Sequence, residues 1–214
     1  MTEQVIDKVS DKAPEERQEP VAPGDQGCNA AGGANAIDLG ADYFELFSLR
    51  RAFEVDLTKV SRRYRELQGL LHPDRHATES AAQRRWSMQA SSFVNDAHDT
   101  LRRPLRRAVY LLSLAGVSTD EETDTQMDPM FLMEQMELRE AIESAHSSDD
   151  PHAVLLDVRG QLSKAMKAEQ ASFGQSSDSA DWGVARDVVR RWQFLDKLGR
   201  EISSLEAHLD GDAP

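Results

Sequence analysis

The run DLTKVSRRYRELQGLLHPD, residues 56–74, decides how the rest of the chain is read. Val60, Tyr64, Leu67 and Leu71 recur at helical spacing and predict one buried stripe. Lys59, Arg62, Arg63 and Arg65 fall on the flanks and on the opposite face, so this helix is basic outside. Asp56 or Thr58 is a candidate N-cap, because a short oxygen-bearing side chain there satisfies the free N–H groups of the first turn. The helix must end near His72, since a residue ahead of proline is pushed out of the helical region. His72-Pro73-Asp74 therefore opens a loop that the proline ring stiffens.

Working outward, Trp86, Ala90, Phe93/Val94, Ala97 and Leu101 predict a facing stripe on a helix over about 79–101. The two helices can close as an antiparallel hairpin, with the His72 loop between them. Upstream, Tyr43, Phe44, Leu46, Phe47 and Leu49 mark a short helix over 42–49. Downstream, Pro104 suits the first turn of a helix that Gly116 stops. The acidic, Ser/Thr-rich segment 117–127 then reads as a linker, followed by helices near 128–146, 151–173 and 180–209. No alternating strand pattern and no repeat is visible, so the expected class is all-α. The expected parts are an acidic disordered tail (1–41), a helical-hairpin unit (42–116), a linker (117–127) and a three-helix bundle (128–210). The tail is assigned from Pro14, Pro20, Pro23, a scatter of glycines and too few large apolar groups to offset ordering entropy.

Charge separates these parts. The formal net charge is -13. Residues 42–103 hold nine acids and eleven bases, whereas both flanking regions are acidic. A mildly basic unit between acidic ones implies distinct partners. The acidic balance argues against a nucleic-acid protein, which needs a positive field to neutralise phosphates. No apolar run approaches a membrane span of about 18 residues, and no targeting segment is evident. The one cysteine, Cys28, cannot close an internal disulfide and lacks the companions of a metal site. A reducing compartment, the cytoplasm, and no bound cofactor are expected.

The segment FLMEQMELRE, residues 131–140, carries more apolar surface than one core face needs. At 100° per residue, Phe131, Leu138, Ile142 and Ala145 share a narrow sector. Leu132, Met133 and Met136 fall on the other side with Glu140. Either this helix is buried on both sides, or the second face meets a partner. Methionines suit an adaptable contact surface. The middle helix offers Leu155, Val158, Leu162 and Ala165 as a core face. The last offers Val188, Trp192, Leu195 and Ile202, with Leu198 and Leu205 beside them. Phe194 lies off that stripe and can join the second face of 131–140.

The basic helix, the His72-Pro73-Asp74 loop and the apolar helix after it resemble a J-domain. More closely, DYFELFSL, LHPD, LRRPLRRAVYLLSLAG, FLMEQMELRE and RRWQFLDKL together resemble the HscB family of iron–sulfur co-chaperones over about residues 42–209. The resemblance implies an L-shaped, two-domain molecule that is not itself an enzyme. It implies that His72, Pro73 and Asp74, with Arg62, Arg63 and Arg65, engage an HscA/DnaK-class ATPase chaperone and stimulate its ATP hydrolysis. It also implies that Leu132, Met133, Met136, Glu137, Glu140 and Phe194 bind the cluster scaffold IscU. The chain departs from the common J-domain pattern at Ser61 and Glu66, where many relatives are basic, and at Ser91, where a phenylalanine is common; from the HscB pattern it departs at Met136, where leucine is usual.

Three rival readings stay open. A general J-protein would serve other clients. A small hydrolase would use His72 with Asp74. A structural dimer would bury the Leu132/Met133/Met136 face against itself. A metal site on His72 and His76 would need a third ligand that the sequence does not offer.

Overall fold

Capping residues fix where each helix of this chain starts. The computed structural model describes residues 37–72, 80–119, 128–145 and 147–211, all within the unit Gly33–Pro214. Among these residues there are seven α-helices and no strand. Helix α1 (Tyr43–Leu46) begins at Asp42, whose carboxylate accepts from the Phe44 and Glu45 amides at 2.7 and 3.0 Å. It is shorter than the expected 42–49, because the backbone turns left-handed at Ser48 (φ 55°). Helix α2 (Leu57–Leu70) uses Asp56 rather than Thr58 as its cap, accepting from Thr58 and Lys59. Helix α3 (Ala81–Arg102) opens on a reciprocal capping box between Ser80 and Gln83. Helix α4 (Pro104–Leu114) has its proline in the first turn and ends ahead of Gly116, which takes φ 74°. Helices α5 (Pro129–Ala145), α6 (Pro151–Asp178) and α7 (Trp182–Gly211) complete the chain.

Two hydrophobic cores form. The first joins Phe44, Phe47, Phe53, Val60, Leu67, Ala90, Val94, Leu101 and Leu112. The second joins Ile142 and Ala145 of α5 to Leu155, Val158 and Leu162 of α6 and to Leu195, Leu198 and Ile202 of α7. Helices α6 and α7 are antiparallel across the turn at Ser179–Asp181, as their cross-helix ion pairs Glu169–Arg191 (2.9 Å) and Arg159–Glu206 require. The turn end of this long hairpin enters the first core, where Phe173, Ala185, Val188, Val189 and Trp192 are buried. Phe53 meets Phe173 edge-on at 4.8 Å and Trp192 at 6.3 Å. Helix α6 continues past its expected end at 173 to Asp178, and Ser176 in that last stretch is buried.

One cation holds the first core together. Arg107 is buried, donates to the Phe53 carbonyl at 2.6 Å and to the Leu101 carbonyl, and lies over the Phe53 ring. Burial pulls its pKa below the usual arginine range, with Glu54 opposing. Order also starts earlier than Asp42: Ile37 is already buried in this core. The rest of the expected acidic tail, residues 1–36, lies outside the described residues.

Candidate docking surfaces

The N-terminal surface is built on α2. Burial of Val60 and Leu67 against α3 turns the basic residues outward, as the stripe predicts. The three arginines are not equivalent. The Arg62 side chain is 69% exposed and only loosely paired with Glu66, at 4.0 Å. Arg63 is half-buried, donates to the Leu46 carbonyl at 3.4 Å and pairs with Glu66 at 3.1 Å. It therefore ties the end of α1 to α2 as well as carrying charge. Arg65 is exposed and donates to the Ser61 carbonyl of its own helix at 3.3 Å. Glu66 thus mutes two of the three cations. His72 is exposed immediately past the C-cap residue Leu71. Pro73, Asp74 and His76 lie outside the described residues.

The C-terminal surface is built on α5. Phe131, Gln135, Ile142 and Ala145 are buried on one side, and Leu138 is half-buried beside them. On the other side Leu132 is 43% exposed, Met133 58% and Met136 70%. Glu137 and Glu140 are exposed with them. Of the two readings of the second apolar face, burial on both sides is therefore not what the described residues show. Phe194 behaves differently from the rest of its expected group. It is half-buried, meets Phe131 edge-on at 5.9 Å, and carries the Arg139 guanidinium at 5.6 Å from its ring centre. It fastens α7 to α5 at the margin of the exposed face. Its off-stripe position announced a role outside the α6 contact, and the fold sets it against Phe131 and the edge of the second core.

Sequence reasoning missed three features here. Met130, 64% exposed, extends the apolar face toward the start of α5. Arg139 is a cation on a face otherwise ringed by acids, and its spacing from Leu132 and Met136 would have placed it there. Gln135 is buried with no partner for its Nε2. Among the described residues no cluster of three or more His, Cys, Asp or Glu is arranged to hold a metal ion. Among them also, no helix is long and apolar enough to cross a membrane.

Comparison with known proteins bears on both surfaces. The family model described as the HscB C-terminal oligomerisation domain matches residues 127–203. A co-chaperone HscB homologue from Vibrio campbellii is 42% identical over 170 residues, covering 79% of this chain and 99% of that protein. The solved structure of chaperone HscB from Vibrio cholerae is 40% identical, with a TM-score of 0.70 over 79% of this chain and 99% of that one. The crystal structure of human co-chaperone HscB is 29% identical, with a TM-score of 0.75 over 87% and 94%. With this identity sustained across nearly the whole length of the relatives, the chain belongs to the HscB family of co-chaperones.

Proposed function

We propose that this chain carries an IscU-type iron–sulfur scaffold to an HscA-type ATPase chaperone and stimulates that chaperone's ATP hydrolysis. Family membership makes it a co-chaperone acting in iron–sulfur cluster assembly, with an Hsp70-type chaperone as partner. The observation that supports the scaffold arm is the exposed Leu132/Met133/Met136 face on a helix whose opposite side is already buried. An apolar face this exposed on a folded chain marks a contact surface. Glu137 and Glu140 rim it and favour a partner with basic groups.

In the chaperone arm, residues 42–116 act as the J-domain. His72, Pro73 and Asp74 make the contact, and Arg62 and Arg65 steer an acidic partner. Arg63 contributes charge while holding α1. Residues 128–210 act as the scaffold-binding unit, and 117–127 join the two. Carrying scaffold and chaperone on one body raises the effective concentration of each at the other. The chain makes and breaks no bond itself. With a single cysteine and bacterial relatives, we place it in the cytoplasm.

The test is steady-state ATPase measurement on an HscA-type chaperone, with and without IscU. His72→Gln should abolish stimulation and leave IscU binding intact. Leu132, Met133 and Met136 replaced together by alanine should weaken IscU binding at least tenfold, as loss of central apolar contacts does. That triple variant should leave IscU-independent stimulation and the melting temperature unchanged. A melting temperature that falls by many degrees would mean the face is core; unchanged IscU binding would return the patch to self-association.

A further inference from the structure

Arginines gather where α3 passes into α4. Residues 99–106 hold Arg102, Arg103 and Arg106 against a single acid, Asp99, in a chain whose net charge is -13. Asp99 divides its oxygens between two of them: Oδ1 meets Arg103 Nε at 2.8 Å, and Oδ2 meets Arg106 Nη1. One carboxylate cannot neutralise two guanidiniums, so a positive charge is left over, with N–H donors to spare. Both arginine side chains are 56% exposed. Arg200 of α7 lines the same cleft and is 74% exposed. Its own Asp196 lies at 3.2 Å, so it adds donors without adding net charge.

The cleft is open, holds about 840 Å³ and lies between α4 and α7. Apolar groups make its floor. Leu105 and Val109 of α4 are half-buried there against the first core, and Trp192 of α7 is buried with them. Tyr43 and Tyr110 also line it and stack on each other at 4.4 Å. Tyr110 Oη accepts from the Tyr43 amide, and its own O–H has no acceptor among the described residues. No residue of α2 or α5 belongs to the lining, so neither of the contacts proposed above occupies it.

An apolar floor inside a charged rim, with tryptophan, tyrosine and arginine together, is the make-up of a protein contact surface. The surplus of cations selects an occupant that carries carboxylates. A compact polyphosphate is a poorer match, because Asp196 in the lining repels it and the apolar floor goes unused. We propose that the cleft between α4 and α7 is a third docking surface, which seats an acidic peptide segment of a partner protein. Its carboxylates meet Arg103, Arg106 and Arg200, and an apolar side chain between them covers Leu105 and Val109. The assignment stands apart from the chaperone and scaffold readings.

The test uses the full chain and short fluorescent peptides that alternate glutamate with leucine, glutamate with serine, or lysine with leucine. By fluorescence anisotropy the glutamate–leucine peptide should bind with a Kd below about 1 mM, and more weakly as salt is raised. The serine form should bind about tenfold more weakly, and the lysine form not at all. Arg106→Glu and Arg200→Glu, one on each helix, should each weaken binding about tenfold, whereas Arg106→Lys should keep most of it. Both arginines are exposed, so the melting temperature should hold. IscU binding and ATPase stimulation should be unchanged in all three variants. A benzophenone on the peptide should label α4 and α7. No binding of the glutamate–leucine peptide, binding that survives both charge reversals, or labels on α2 or α5 would each overturn the proposal. Displacement by pyrophosphate at equal strength would make the cleft a simple anion site and end the peptide assignment. Loss of IscU binding or of stimulation in the variants would return the cleft to the two surfaces already described.

Discussion

The two cores of this protein are held by different means. The first is aromatic and cross-linked by polar bonds. Phe44, Phe47, Phe53, Phe173 and Trp192 meet there, and Arg107 spans from the Phe53 carbonyl to the Leu101 carbonyl. Tyr110 adds a second long-range tie by accepting from the Tyr43 amide at 3.0 Å. The second core is aliphatic, with Ile142, Leu155, Leu162, Leu198 and Ile202, and its one buried carboxamide, Gln135, has an unpartnered Nε2. Its cross-helix bonds, from Arg159 to Glu206 and Ser203, lie at the surface rather than inside. Buried directional bonds fix geometry more firmly than apolar contacts do. On the proposed function, the first core carries α2 and the His72 that follows it toward the chaperone, and the second carries the exposed methionine face of α5 toward the scaffold, where a little freedom would help.

The largest test of this contrast is Arg107→Met. It removes two charge-assisted bonds to buried carbonyls and leaves both oxygens without a donor. The expected loss of stability is about 3 kcal/mol, read by urea denaturation. Arg107→Lys should recover little of it, because an ammonium lacks the fork that reaches both carbonyls. A loss under about 1 kcal/mol, the scale of an exposed ion pair, would mean that the first core is held by its aromatic rings alone.

The second test acts in the opposite direction. Gln135→Leu replaces a buried donor lacking a partner with an apolar group of similar size. It should stabilise the fold by about 1 kcal/mol and raise the melting temperature. If α5 needs freedom to receive its partner, IscU binding should fall even as stability rises. Destabilisation instead would show that the Gln135 amide is satisfied in solution, and the contrast between the cores would weaken.

Much of this was legible in the sequence, for identifiable reasons. The starts of α2 and α4 could be read because Asp56 or Thr58, and Pro104, carry local capping chemistry. The two faces of α5 could be read because periodicity alone separates Phe131 and Ile142 from Leu132 and Met136. What could not be read depends on residues distant in sequence. Phe53 lies in a loop and packs on Phe173, 120 positions later, and no periodic pattern links them. Nothing in the run RRPLRR sets Arg107 apart from its neighbours; the carbonyls of Phe53 and Leu101 that it meets are placed by the fold. The division of labour among Arg62, Arg63 and Arg65 likewise depends on the Leu46 carbonyl and on Glu66. The role expected of His72-Pro73-Asp74 came from family resemblance, and of these three residues only His72 is described.

The smallest expected effect is a pH dependence confined to the first region. His98 of α3 stacks on Tyr64 at 4.0 Å and on Phe47 at 6.5 Å. Burial lowers its pKa from the ordinary 6.5, nearby Arg102 lowers it further, and Asp99 opposes them. A histidine whose folded pKa is depressed takes up a proton more readily when unfolded. Stability is then complete above pH 6.5, the unfolded value, and is lost as pH falls through that value toward the folded one. Hydrogen exchange measured at pH 7.5 and at pH 5.5 should therefore show α2 and α3 losing protection on acidification more than α5. The described histidines of α6 and α7, His152 and His208, are both exposed, whereas His98 is half-buried between two rings. His98→Phe should flatten the acid response of the hairpin and keep its stacking on Tyr64. Equal loss of protection in all three helices, or a dependence that survives His98→Phe, would place the acid-sensitive group elsewhere. It would also remove titration from the differences between the two cores.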